Sequence, residues 1–268
     1  MNILAGGIRI NTSFIHEAEF KSLEKYKTNE RADFILSSVL GEPIFERMDL
    51  DFETEYYQIY KTEKGIFQLQ KGNGIYLGGL LYQDKVITMY IYQDSFLTEY
   101  LLSQYAFVYW IRHYTKSIFI HSSSIAINDM GFLLCAKSGT GKSTHRRLWE
   151  RNAAICINDD KNVISYIDGK LYIMPNPWSG KHFCDYNKTV ELKAVVFLYQ
   201  NEYNVCEQIT PDRAMPLLLN QIQLPSSNLK DNWNLIVDKL LELRLLRLGC
   251  TMDMEAYQVL YKKMEDLL

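Results

Sequence analysis

The sequence lacks the features that mark several classes of protein. Its 268 residues contain no uninterrupted apolar run of membrane-spanning length. The formal net charge is −3, without the basic excess of a nucleic-acid or membrane-surface binder. The first ten residues, MNILAGGIRI, have neither a basic lead nor a long apolar stretch. We therefore expect no signal peptide, no nucleic-acid or membrane partner, and a cytoplasmic location.

Cysteine is scarce and odd in number. No two cysteines form a C-x-x-C motif, and two of the five lie in apolar runs typical of core strands. This pattern predicts reduced, buried thiols, and it argues against a disulfide framework or a zinc site. The five residues are Cys135, Cys156, Cys184, Cys206 and Cys250.

The composition is that of an ordinary folded protein, with 47% hydrophobic and 23% charged residues. A chain of this length can form one large domain or two modest ones. The patterns divide it into a strand-rich part over 1–94, which we expect to recognise the substrate, a connecting helix over 95–117, and a catalytic part over 118–268.

Short alternating runs dominate the first part. Strands are predicted over 3–14 and 33–39, and the runs from Tyr56 to Tyr92 are separated by turns rich in Gly, Asn and Asp. That spacing predicts an antiparallel meander. The acidic stretch 42–55 indicates a solvated face or, alternatively, a docking surface for a protein or peptide partner, and the sequence leaves both open.

The connecting helix carries apolar residues at helical spacing from Leu97 to Ile111, and Asp94 or Ser95 can cap its first turn. Apolar residues cover most of its circumference. We therefore expect it to be buried between the first part and the catalytic part.

The stretch 131–160 reads as strand, loop, helix and strand. An apolar run over 132–136 leads into the loop, which opens directly into a helix, and a second apolar strand over 154–157 follows. This is the order in which a P-loop binds phosphate. The motif G-x-x-x-x-G-K-[ST] is matched except at its first glycine, where this chain has Ala136.

The residue types of the loop fit a polyphosphate. The start of a helix offers unpaired N–H groups, and Gly139 and Gly141 let the backbone approach phosphate oxygens closely. Lys142 can reach the β- and γ-phosphates, and the Ser143 hydroxyl can ligate Mg²⁺. We expect ATP and Mg²⁺ to bind here. The residues expected to hold the nucleotide are Ser138, Gly139, Thr140, Gly141, Lys142, Ser143 and Thr144.

Two carboxylates follow the second strand. Asp159 and Asp160 stand where a metal partner or a base for an incoming hydroxyl is needed. The segment Asn-Asp-Asp-Lys-Asn over 158–162 is also typical of a β-turn. Both interpretations can hold, because a turn would direct the carboxylates towards the phosphates.

These motifs resemble a known family. The run HSSSIA over 121–126, then SGTGKST over 138–144 and Asn-Asp-Asp over 158–160 are similar to the catalytic domain of HPr kinase/phosphorylase. The loop is also similar to that of phosphoenolpyruvate carboxykinase. The segments NPWSGK over 176–181 and LKAVVFL over 192–198 resemble HPr-kinase-like peptide kinases of lasso-peptide and related maturation clusters.

The resemblance implies roles for individual residues. Asp159 would be the base that accepts the proton of the acceptor hydroxyl, and His121 would contact that catalytic aspartate. Asp160 would hold Mg²⁺ together with Ser143. The acceptor would be a serine on a ribosomally made precursor peptide or a small protein, and the enzyme would be a homo-oligomer.

The loop over 175–182 contains Trp178, Lys181 and His182 among proline and glycine. It predicts a lid or substrate clamp, with Lys181 and His182 as candidate substrate contacts. The alternative is a packed surface loop anchored by Trp178. The rest of the chain reads as scaffold, with a hairpin over 163–174, strands over 192–199 and 245–248, and helices over 211–222, 229–243 and from 254 to the end.

The sequence as a whole predicts a mixed fold, α+β or α/β. Together with the resemblance, it predicts an ATP-dependent kinase with a P-loop of the HPr-kinase and carboxykinase type. A phosphatase or phosphorylase of the same fold is one alternative. A regulatory protein that binds nucleotide without turnover is another, although both aspartates are present.

Overall fold

The computed structural model describes residues 1–137, 139–179, 184, 186–222, 233–251 and 253–267. It shows a mixed α/β protein with extensive sheets and few helices. The chain divides into two compact units, Met1–Trp110 and Ile111–Leu268, and the boundary falls inside the helix Phe96–Tyr114. The substrate-recognition role expected of the first part stays a prediction. No helix of the described residues combines the length and apolarity needed to cross a membrane.

The first unit contains one sheet of eight strands in the order β1-β2-β3-β8-β7-β6-β5-β4. The predicted meander is confirmed, since β5 to β8 pair antiparallel with their sequence neighbours. The elements of the unit are β1 (Asn2–Ala5), β2 (Ile8–Ser13), β3 (Phe34–Leu40), β4 (Met48–Glu53), β5 (Tyr57–Thr62), β6 (Gly65–Gly72), β7 (Ile75–Gln83), β8 (Val86–Ile91) and α1 (Phe96–Tyr114).

The prediction of a single strand over 3–14 is wrong. Gly6 and Gly7 have φ angles of 58° and 83°, a left-handed conformation that favours glycine, and they reverse the chain between β1 and β2. The predicted strand over 33–39 is confirmed as β3. The acidic stretch contains β4, an edge strand whose six residues are all exposed.

Helix α1 packs on one face of this sheet. Trp110 is fully buried and its ring centroid lies 5.1 Å from that of Phe34. At Gly78, in β7, an added Cβ would lie 3.1 Å from Leu102 and 2.2 Å from the Tyr90 carbonyl, so only glycine fits there.

A buried carboxylate fixes the beginning of α1. Glu99 is inaccessible to solvent and accepts hydrogen bonds from the backbone N–H groups of Ile15 (2.8 Å) and His16 (3.0 Å), from His16 Nδ1 at 2.6 Å and from the Ser38 hydroxyl. His16 Nε2 lies 2.9 Å from Asp94 Oδ1. The hydrogen bond to Glu99 is the main reason why the pKa of His16 is raised above its ordinary value.

The second unit is built on a sheet of nine strands among the described residues. Its elements are β9 (Ser117–His121), β10 (Ser123–Ile127), β11 (Met130–Cys135), α2 (Lys142–Glu150), β12 (Ile155–Asn158), β13 (Lys161–Ile167), β14 (Lys170–Met174), β15 (Val190–Gln200), β16 (Val205–Gln208), α3 (Pro211–Leu219), α4 (Trp233–Leu241), β17 (Arg244–Cys250) and α5 (Met254–Met264).

Strand β15 is central. It pairs in parallel with β11 and β17, and at its beginning it pairs antiparallel with β14. Residues of α3 and α4 pack into the hydrophobic cluster on one face, and residues of α2 and α5 pack into the cluster on the other. The carboxyl ends of β11 and β15 therefore lie side by side, at the edge where parallel sheets commonly bind ligands.

Most predicted elements of this unit are confirmed. The hairpin β13–β14 turns at Asp168 and Gly169, both with positive φ. Helix α3 begins with Pro211, and the Asp253 side chain accepts the N–H of Ala256 at the start of α5. Strand β16 was not predicted. Of the predicted helix over 229–243, residues 229–232 lie outside the described residues.

The prediction that all five cysteines are reduced is wrong. Cys156 in β12 forms a disulfide with Cys184, and their Cα atoms are 5.5 Å apart although 28 positions separate them in the chain. Sequence spacing gave no sign of this proximity, because it depends on how residues far apart in the chain pack together. Cys135, Cys206 and Cys250 are free and buried, as predicted.

Candidate functional site

The predicted phosphate-binding loop joins β11 to α2. Gly139 and Gly141 have φ angles of 79° and 107°, and Gly141 immediately precedes the first residue of α2. Space around Gly139 is open, since an added Cβ would meet nothing within 4 Å. The loop thus presents glycine backbone and the first N–H groups of a helix to the same region. Backbone N–H groups at the start of a helix can bind an anion by hydrogen bonds. Ser138 lies outside the described residues.

Lys142, the first residue of α2, is turned inwards. Its Nζ donates to the Ala136 carbonyl at 2.8 Å and to His121 Nε2 at 3.0 Å. Burial lowers the pKa of Lys142 below its ordinary value, and the charges of Asp160 and Asp159 offset part of that effect. The lysine therefore lies beside the loop, and its ammonium group makes two hydrogen bonds that contacts with a phosphate could replace.

His121 connects this lysine to a carboxylate. Nδ1 of His121 lies 2.8 Å from Oδ1 of Asp160. An ammonium group can only donate, so Nε2 accepts from Lys142, and the imidazole proton stays on Nδ1 and is donated to Asp160. Burial raises the pKa of Asp160, but the hydrogen bond from His121 and the charges of Lys161 and Lys142 outweigh it, so that this pKa lies below its ordinary value.

Asp159 has a different set of partners. Its Oδ1 accepts from Ser123 Oγ at 2.8 Å and from Arg146 Nε at 3.0 Å, and its Oδ2 accepts from Ser143 Oγ at 3.3 Å. Arg146 is buried and also pairs with Glu150 at 2.6 Å. One oxygen of Asp159 is thus fully engaged, and the other faces the hydroxyl that we expect to ligate a metal.

Asn158 positions both carboxylates. Its Oδ1 accepts the backbone N–H groups of Asp160 (3.0 Å) and Lys161 (2.9 Å), which is the turn that the sequence indicates. Its Nδ2 donates to the Trp178 carbonyl at 3.1 Å, and Trp178 itself is buried. The turn is therefore anchored to the loop that follows β14. The candidate substrate residues of that loop, Lys181 and His182, lie outside the described residues.

The structure brings together His121, Lys142, Ser143, Asp159 and Asp160, and it pairs them differently from the implied arrangement. His121 contacts Asp160, whereas the resemblance implies contact with the base Asp159. Ser143 contacts Asp159, whereas the resemblance implies a shared metal with Asp160. The individual roles stay predictions. Thr144 lies in the first turn of α2 and is half-buried.

Three supporting residues were not identified from the sequence. Ser123 and Arg146 bind Asp159, and Gln221, just beyond α3, lies between the carboxyl ends of β9 and β11. With its amide nitrogen turned towards them, Gln221 donates to the carbonyls of His121 (3.0 Å) and Ala136 (3.1 Å). The serine run at the start of β10 was the only local signal, because nothing near Gln221 in sequence points to the loop.

The residues fit a magnesium ion of the kind that accompanies a nucleotide. The Ser143 hydroxyl and Asp159 Oδ2 are hard oxygen donors 3.3 Å apart, and Mg²⁺ commonly uses one or two protein oxygens together with phosphate and water. The described residues contain no group of three His, Cys, Asp or Glu side chains that would bind a metal by themselves. The site therefore fits a metal brought in with the nucleotide.

Comparison with known proteins gives little guidance. No family model matches the sequence, and no curated protein matches it either. Among solved structures, the chain is similar to the Hpr(Ser) kinase/phosphatase from Coxiella burnetii, with 13% identity and a TM-score of 0.31 over 56% of this chain and 93% of that one. A likeness of this degree does not establish the family.

Proposed function

We propose that the second unit is an ATP-dependent phosphotransferase that phosphorylates a hydroxyl group. The acceptor class is a serine on a ribosomally made precursor peptide or small protein. The observation that carries the proposal is the hydrogen-bonded series from Lys142 through His121 to Asp160. It connects the lysine of a phosphate-binding loop, through one histidine, to a carboxylate that can accept a proton. Phosphoryl transfer uses both a cation on the phosphates and a group that orients or deprotonates the acceptor hydroxyl.

The contacts divide the work between the two aspartates. Asp159 and Ser143 would hold Mg²⁺, which when bound neutralises charge on the phosphates. Asp160 would accept the proton of the acceptor hydroxyl on Oδ2, because His121 Nδ1–H already occupies Oδ1. This division is the reverse of the one that the resemblance implies, and it follows from the partners of each carboxylate.

A cavity of about 340 Å³ supports an acceptor site on the His121 side. It is lined by His121 and Lys161, with Phe119 and Ile222 among its apolar walls. These two side chains are cross-strand neighbours, since His121 in β9 pairs with Lys161 in β13; Asn220 and Gln221 also line the cavity. A hydroxyl group entering this cavity would come close to the Asp160–His121 pair.

The test is mass spectrometry of serine-containing candidate peptides after incubation with ATP and Mg²⁺. We expect a phosphate-sized mass gain with the wild-type protein and none with Lys142→Ala or Asp160→Asn. Wild-type protein that binds Mg²⁺-ATP but neither hydrolyses it nor modifies any peptide would favour a nucleotide-binding regulator. Removal of phosphate from phosphopeptides without ATP would favour the phosphatase alternative.

A further inference from the structure

A second cavity lies next to the glycine loop, and it shares the lining residues Asn220 and Gln221 with the cavity on the His121 side. Its volume is about 490 Å³, within the range of roughly 300–1,000 Å³ that is usual for small-molecule sites. Gly139 and Thr140 line part of it, and residues at the carboxyl ends of β11, β15 and α3 line the rest. A molecule whose phosphates rest on the loop would therefore have its other end beside this cavity.

The walls suit an uncharged aromatic group. Phe197, Tyr199 and Leu217 contribute apolar surface, and Lys137 is the only charged residue among the described lining residues. Asn220 offers a carboxamide that makes no side-chain hydrogen bond to the rest of the described chain. An aromatic wall with a few neutral hydrogen-bonding groups is the usual environment of a nucleobase, whereas a second metal or a cationic ligand would need carboxylates.

Two residues of strand β17 fix the position of Tyr199. The Arg247 guanidinium lies over the tyrosine ring, 4.4 Å from its centroid. On the neighbouring strand β17, Gly249 leaves the space that the ring occupies, because an added Cβ would lie 2.6 Å from Cζ and from Oη of Tyr199. A ring fixed in this way lines the cavity and loses little conformational freedom when a ligand binds against it.

We propose that this cavity binds the nucleoside of the phosphoryl donor, with the base against Tyr199 and its polar edge towards Asn220. The donor is then a nucleoside triphosphate, selected over inorganic polyphosphate by contacts outside the phosphate loop. This inference rests on the proposed function, since it takes the phosphates of the same donor to lie on the loop at Gly139–Ser143.

The experiment compares the binding of ATP and of inorganic tripolyphosphate, both with Mg²⁺, by isothermal titration calorimetry. We expect wild-type protein to bind ATP at least about tenfold more tightly, the size of one base–aromatic stacking contact. Tyr199→Ala should lower the ATP affinity to that of tripolyphosphate and leave tripolyphosphate binding unchanged. Tyr199→Phe, which retains the ring, should retain ATP affinity.

The outcomes separate this inference from the proposed function. Equal binding of ATP and tripolyphosphate by the wild-type protein would overturn the nucleoside site and leave the phosphate loop intact, and this comparison needs no variant. Equal weakening of both ligands by Tyr199→Ala would also overturn it. Failure of the wild-type protein to bind either ligand would overturn the proposed function, and the nucleoside site with it.

Discussion

His121 Nδ1 lies 2.8 Å from Asp160 Oδ1, while the adjacent Asp159 is bound by Ser123, Ser143 and Arg146. Neighbouring residues at the end of one strand thus face different groups. Side chains of successive residues point in different directions, and the turn fixed by Asn158 preserves that difference. Two chemically identical carboxylates can therefore take different roles.

Substitution of each aspartate by asparagine should separate these roles. In Asp159→Asn, Mg²⁺ should no longer increase the affinity for ATP, because the carboxylate next to Ser143 is lost. In Asp160→Asn, the Mg²⁺ effect on ATP affinity should remain, while phosphoryl transfer falls by roughly 10²–10⁴-fold, the usual contribution of a general base. Calorimetry with and without Mg²⁺ checks the first effect, and turnover with an acceptor peptide that the wild-type protein phosphorylates checks the second.

Loss of the Mg²⁺ effect in Asp160→Asn, with its retention in Asp159→Asn, would restore the roles implied by the resemblance. Ser143→Ala is the matched control. It removes the second oxygen donor and should reproduce the Asp159→Asn binding result without changing any charge.

Lys142 should reduce the stability of the protein in the absence of nucleotide. Burial lowers its pKa, so the folded state holds this proton less tightly than the unfolded state does. The cost is therefore present at neutral pH and is relieved only as the pH rises through the lowered pKa towards the unfolded value. Lys142→Met should raise the Tm of the nucleotide-free protein at pH 7, and scanning calorimetry measures this.

Added Mg²⁺-ATP should affect the two proteins differently. It should raise the Tm of the wild type and leave that of Lys142→Met unchanged, because the variant lacks the cation that contacts the phosphates. A Tm lowered by the substitution would mean that the contacts with His121 and Ala136 outweigh the cost of burying the ammonium group.

Local patterns predicted much of the fold. Period-two alternation with turn residues located β5 to β8, and the Thr210–Pro211 pair located the start of α3. These signals are local, because the turn or the cap depends on residues adjacent in sequence. The first strand was mispredicted for the same reason, since the Gly6–Gly7 turn interrupts one continuous alternation.

The candidate site could be predicted only in part. The loop and the aspartates form continuous motifs in the sequence. The contact of His121 with Asp160, and not with Asp159, depends on how β9 and β13 pair. Gln221 is about 80 positions from the loop and reaches it only because α3 packs against the sheet and ends beside the carboxyl ends of β9 and β11. Side-chain partners across a sheet depend on strand register and packing, which local patterns in a single sequence do not reveal.

The disulfide predicts a specific pattern of thiol reactivity. Alkylation in denaturant without reductant should label the three free cysteines, and all five should be labelled after reduction. Cys156→Ala should lower the free energy of unfolding by about 3–4 kcal/mol, the cost expected for opening a loop of 28 positions. Cys206→Ala, which removes a buried free thiol, is the control for the loss of a side chain. Labelling of all five cysteines before reduction would contradict the bond.

The His16–Glu99 pair should make the stability of the first unit depend on pH. The folded pKa of His16 is raised, so the charged pair stabilises the fold fully below the unfolded value of about 6.5, and this contribution is lost as the pH rises through the raised pKa. Asp94 and Glu99 are the carboxylates that face the ring. We expect the Tm difference between wild type and His16→Gln to be largest at pH 6 and to shrink towards alkaline pH. Circular dichroism melts of both proteins from pH 6 to pH 9 would measure it. A His16→Gln difference that does not change with pH would show that the imidazole contributes only as a neutral hydrogen-bond donor.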